Sequence, residues 1–185
     1  MTSQNFLKQL LKHLRPAIVL VAFIAIGYIY LMRFVDHELS WVPFLVIFLA
    51  FVKTGYFTFF TFRQVNESIR QCHSFGQLLW IFGLLVILIV FSYAADFTCM
   101  MAADSSSFQG FTTTENFNYF EHLFETFYFS IVTFAGIGYG DIVPVTIPSK
   151  ILVIMEIGQS FMMIVFGLSN INNLRTTIRT DRLMG

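Results

Sequence analysis

The chain has 185 residues, of which 56% are hydrophobic, 24 are phenylalanine and only 12% are charged. A soluble domain carries about 25% charged residues, so half that figure, with a mean hydropathy of +0.71, points to a chain embedded in lipid. Eleven basic residues balance eleven acidic ones, which leaves no charge excess of the kind a nucleic-acid partner requires.

Residues 1–15 place Phe6, Leu7, Leu10, Leu11 and Leu14 on one helical face and Lys8, Lys12 and Arg15 on the other. This reads as an amphipathic interfacial helix, or as a positive flank that fixes topology. A bilayer core about 30 Å thick needs roughly 20 helical residues. Residues 16–32 and 71–95 contain no charge, residues 39–62 contain only Lys53, and residues 151–174 contain only Glu156. Four spans are therefore expected, at about 17–35, 41–62, 77–96 and 148–170. No small-residue cleavage site follows the first, as a signal peptide would need. Cys72 and Cys99 fall on opposite sides of the membrane in this layout and have no metal-ligand spacing.

Basic residues set the orientation. Lys8, Lys12, Arg15, Arg63, Arg70, Arg175, Arg179 and Arg182 flank one side, whereas residues 96–125 hold five acids and no Lys or Arg. Both termini are expected in the cytoplasm of a multi-pass protein of the cell membrane. The sequon at Asn66 then lies on the cytoplasmic side and is discounted.

Residues 97–117 are polar and turn-rich, and the following apolar stretch begins with Asn118 and Glu121 in capping-box spacing. A helix over 119–132 would be about 21 Å long, too short to cross. It is read as re-entrant. At its end stands Thr133-Phe-Ala-Gly-Ile-Gly-Tyr-Gly-Asp141. Irregular backbone at membrane depth survives only where protein buries it or where it lines a water-filled cavity. Alternating glycines allow φ of either sign, so the carbonyls can turn to one side while Ile137 and Tyr139 point to the other. One strand supplies too few oxygens to replace an ion's water shell. Four strands around an axis supply rings of them, and the helix C-terminus adds partial negative charge. A cation and a tetramer follow.

Residues 128–146, YFSIVTFAGIGYGDIVPVT, resemble the pore loop and filter of the potassium-channel superfamily, and the similarity extends over about 77–170. The family pattern TVGYGD is matched at Ile137, Gly138, Tyr139, Gly140 and Asp141, with Pro144 and Thr146 fitting the stretch that follows. The resemblance implies an all-α membrane protein with four transmembrane helices per subunit, a re-entrant pore helix, an extended filter and a tetrameric pore. It implies potassium coordination by the carbonyls of Gly136, Ile137, Gly138 and Tyr139, with Gly140 and Asp141 at the mouth. No cofactor is expected beyond potassium ions bound in the filter. Gly136 departs from the family, which has Thr or Ser there, so a hydroxyl ring is lost from the innermost site. Replacing Gly136 with Thr is expected to sharpen selectivity.

The domain layout expected is a cytoplasmic amphipathic segment (1–15), two additional spans with a cytoplasmic linker (16–76), a pore domain (77–170) and a short cytoplasmic tail (171–185). Intramembrane charges are candidate functional sites. Lys53 and Glu156 lie at comparable depth and could pair. Alternatively Lys53 snorkels, and Glu156 faces the structure behind the filter or is protonated. Gly158 is a candidate bending point of the inner helix. Phe161, Ile164 and Leu168 could line the axis as a dewetting constriction, or serve ordinary helix packing. Asn170, Asn172 and Asn173 could line the exit or cap the helix. The first two spans lack the repeated Arg or Lys of a voltage sensor.

The leading expectation is a homotetrameric, potassium-preferring channel whose partners are membrane lipid, its own copies and monovalent cations, with sodium among them if Gly136 weakens discrimination. The alternatives are a weakly selective cation channel and a non-conducting accessory subunit. An intramembrane enzyme is not expected, because all four histidines lie outside the spans and no G-x-S-x-G occurs.

Overall fold

The computed structural model describes residues 3–34, 41–71, 75–111 and 119–184. Five helices carry the fold: α1 (Ser3–Phe34), α2 (Val42–Gln71), α3 (Phe75–Ala103), α4 (Tyr119–Phe134) and α5 (Ile147–Met184). A 3-10 turn over Ser105–Ser107 leads into strand β1 (Phe108–Gln109), which pairs antiparallel with β2 (Val143–Pro144). Cys72 and Asn118 lie outside the described residues.

Apolar composition over sustained length makes these helices. Val42–Thr61, Leu79–Ala103 and Ile147–Gly167 are long and apolar enough to cross a membrane. The first helix differs from expectation, because its described apolar stretch, Arg15–Tyr30, is shorter than these. Its amphipathic start is also not a separate element. Ser3 to Phe34 form one helix with Pro16 inside it, where the ring removes one backbone donor. At the other end α5 runs without a break past residue 170 to Met184.

The third helix continues past its expected end at Asp96 to Ala103. Asp96 looks like the polar limit of a span, but its charge is met inside the bundle. The helix therefore carries on through Phe97, Cys99 and Met100, all buried. Helix α4 spans Tyr119–Phe134, close to the short helix expected there.

Helix α3 is the centre of the chain, touching α1, α2, α4 and α5, while α2 also packs along α5. Polar bonds mark these seams. Thr98 and Thr126 share a 2.7 Å hydroxyl contact between α3 and α4, and Thr58 donates to Gln159 at 2.9 Å between α2 and α5. Beside the β1–β2 pair an aromatic cluster forms from Phe97, Phe108, Phe111 and Phe129, with ring centroids 5.1–5.7 Å apart. Edge-to-face contacts of this kind add stability beyond area burial. They brace α4 against α3.

Candidate functional site

The glycine string begins where α4 ends, and the same residue serves both. The amide of Gly136 donates to the Thr133 carbonyl at 3.0 Å, and that of Ile137 donates to the Val132 carbonyl at 3.0 Å. These two bonds, with Gly136 at φ +68°, form a Schellman cap, in which a left-handed residue closes the last helical turn. Glycine takes that conformation without a Cβ clash. Gly136 is therefore a helix stop as well as a position lacking a hydroxyl.

Beyond it the handedness alternates. Gly138 and Gly140 have φ of +60° and +78°, and no described non-glycine residue has positive φ. Ile137 and Tyr139 thus take negative φ between left-handed neighbours. Both are exposed, at 53% and 67%. Alternating handedness is the backbone condition under which successive carbonyls can turn to one side.

A clasp holds the far end of the string. Tyr128 of α4 donates its hydroxyl to Asp141 Oδ2 at 2.7 Å, and the Ile142 amide donates to Asp141 Oδ1 at 3.0 Å. The Tyr128 bond, ahead of any other cause, holds the Asp141 carboxyl below its usual range. Gly110, at φ +99°, passes so close that a Cβ there would lie 1.8 Å from the Asp141 carbonyl oxygen. The loop containing Gly110 is itself anchored. Asp104 accepts from the Ser106 amide at 3.0 Å and from its hydroxyl at 2.6 Å, and the hydroxyl bond leads in lowering the Asp104 carboxyl's pKa. The Ser107 carbonyl accepts from the Val145 amide at 2.9 Å and from the Ser149 hydroxyl at 2.8 Å. The segment after the string is thereby tied to the end of α3.

Lys53 and Glu156, which by depth could have paired, do not pair with each other. Lys53 contacts Asp96 Oδ2 and donates to the Ser92 carbonyl at 3.1 Å, with its ammonium 4.8 Å from the Tyr93 ring centre. Tyr28 donates to Asp96 Oδ1 at 2.9 Å. Three helices thus meet at one carboxylate, with Lys53 and Asp96 both buried. Burying both charges together is what makes either tolerable. Glu156, also fully buried, instead contacts the Ser130 hydroxyl of α4. In the sequence Asp96 stands first of the five acids of residues 96–125 and carries no mark of a partner. Its position within reach of Lys53 depends on helix packing that spacing does not reveal.

Gly158 lies in the unbroken α5, with open space where a side chain would stand. Phe161 and Ile164 are exposed, at 66% and 55%, on a face that the described residues leave uncovered. The side chains of Leu168, Asn170, Asn172 and Asn173 lie outside the described residues.

A protein-family model described as "Ion channel" matches residues 84–176, just over half of the chain's 185 residues. The chain belongs to this ion-channel family. The matched stretch holds α4, the glycine string and most of α3 and α5, so the potassium-channel-superfamily pore module read from the sequence is present. The chain is also similar to two-pore potassium channel 4 of Arabidopsis thaliana, at 35% identity over 94 residues. That match covers 49% of this chain and 30% of the plant protein, so the chain spans under a third of the relative's length. No solved structure matches the channel significantly.

Proposed function

We propose that the chain assembles as a homotetrameric, potassium-preferring channel of the cell membrane, with both termini cytoplasmic. In it α3 is the outer helix, α4 the pore helix and α5 the inner helix. The observation that carries this reading is the alternation of left-handed Gly136, Gly138 and Gly140 with Ile137 and Tyr139 at negative φ. Rings of carbonyls from Gly136, Ile137, Gly138 and Tyr139 replace the cargo ion's hydration shell. Four strands are needed to close those rings, and neighbouring subunits then cover the exposed Ile137 and Tyr139. The similarity to a protein named as a potassium channel supports the choice of ion. Phe161 and Ile164 face the axis as an apolar constriction. The short pore helix aims its C-terminal partial charge at the ion path.

The missing hydroxyl at Gly136 favours a second reading, a weakly selective monovalent cation channel. Purified protein in liposomes separates the two. Potassium flux well above sodium flux, from a species that cross-links to four subunits, supports the first reading. Equal fluxes support the second. A particle of another subunit number, or no flux, contradicts both.

A further inference from the structure

Ser130 of α4 lies between two oxygens, with no surface exposed. One is the Val90 carbonyl of α3, at 2.9 Å, and the other is Oε1 of Glu156 on α5. A serine hydroxyl owns one proton, and both a carbonyl and a carboxylate only accept. With Glu156 ionised, that single proton would have to serve two contacts, leaving one pair of oxygens facing each other with nothing between. With Glu156 protonated the count closes. Glu156 donates to Ser130, and Ser130 donates to Val90.

A second observation points the same way. Oε2 of Glu156 is buried and has no hydrogen-bond partner among the described residues. Leaving a charged carboxylate oxygen bare costs far more than leaving the carbonyl oxygen of a neutral acid bare. The charged and titratable groups facing Glu156 are Lys53 from α2, with Asp96 and Tyr93 from α3. Lys53 is already held by Asp96 and the Ser92 carbonyl. Asp96 would repel a second negative charge nearby. From α4 comes Ser130, which is neutral.

We infer that Glu156 carries a proton and acts through it as a positioning residue, joining the inner helix to the pore helix and, through Ser130, to the outer helix. The two-bond chain fixes Ser130 from both sides, less than two helical turns before the Gly136 cap. It sets the depth at which the pore helix ends and the carbonyl-lined strand begins. Protonation itself does not depend on what the pore conducts; only the flux consequence rests on the proposed function.

Infrared spectroscopy on the purified full chain at neutral pH tests the proton directly. The expected result is a protonated-carboxyl C=O band that disappears in Glu156→Gln and shifts in Ser130→Ala. Glu156→Gln keeps a donor for Ser130, so thermal stability and flux stay close to those of the unaltered chain. Glu156→Ala loses flux by roughly tenfold or more, in line with the loss of a buried hydrogen-bond partner. The inference is overturned if no such band exists, or if Glu156→Gln leaves it unchanged. It is also overturned if Gln harms stability as much as Ala, since the charge would then be what matters. The band and the stability ranking are readable in a chain that conducts nothing, so failure here is distinct from failure of the channel reading.

Discussion

Tyr128 and Asp141 stand 13 residues apart and are joined by a 2.7 Å hydrogen bond that spans the whole filter strand. The pore helix thereby holds the strand at both ends, through the Gly136 cap and through this bond. Tyr128→Phe removes the second hold while leaving the ring. The expected outcome is a folded channel whose flux declines over time after the start of the assay, against a steady flux from the unaltered chain. Equal, steady fluxes would contradict it.

The same bond has a pH signature. Asp141 has a depressed pKa in the folded state, chiefly from Tyr128. A depressed carboxylate contributes stability that is present above its unfolded pKa, about 3.9, and is lost as pH falls through the lower folded value. Near neutral pH the contribution is therefore fully present and does not change with pH. Tyr128→Phe should lower stability at neutral pH and shrink the further loss on acidification, as followed by thermal melts across an acid series.

Gly110→Ala is predicted to be damaging, because its Cβ would overlap the Asp141 carbonyl and its φ is +99°. Backbone strain of this kind costs about 1–3 kcal/mol, and relief can come only by moving the filter exit. Gly83→Ala is the comparison: it sits in α3 with open space around it and should gain up to about 1 kcal/mol in helix propensity. Paired melting curves for the two variants check this ordering.

Removing one partner of a buried ion pair costs about 3–5 kcal/mol, whereas replacing both with apolar groups is often neutral. Lys53→Met and Asp96→Leu should each destabilise strongly, and the double variant should recover most of the loss. Lys53→Met combined with Glu156→Gln should instead come out close to additive. A double-mutant cycle in melting temperature measures both couplings. Additivity at Lys53 and Asp96 would contradict the geometry.

Much of this architecture is legible in the sequence, since apolar length and the spacing of Asn118 and Glu121 foretell most of the helices. The glycine string is legible too, because the chemistry lies in the backbone, and the backbone's freedom is written in residue type. What spacing does not carry is which side chains meet across helices. Lys53 has two acids at plausible depth, Asp96 and Glu156, and only the packing of α2 on α3 decides between them. Gly136 shows a different limit. Compared with the family pattern it reads as a lost hydroxyl, while its place just past an apolar helix also marks a helix cap.

That cap changes the expected effect of Gly136→Thr. A β-branched residue at φ +68° is a genuine outlier, costing roughly 1–2 kcal/mol or more. Restoring the hydroxyl is therefore predicted to lower assembly yield and flux in addition to any gain in selectivity. Gly136→Ala, without a hydroxyl, should show the same loss more mildly. Native gel yield and liposome flux for both variants report it. Full assembly and undiminished flux with Thr would show that the left-handed conformation is dispensable.

The central claim is that carbonyls of the string select a potassium ion. Its most direct test is the reversal potential of the purified, reconstituted channel with potassium on one side of the membrane and sodium on the other. The predicted result is a reversal displaced toward the potassium equilibrium potential. A reversal at zero, or no current from the purified protein, would contradict it.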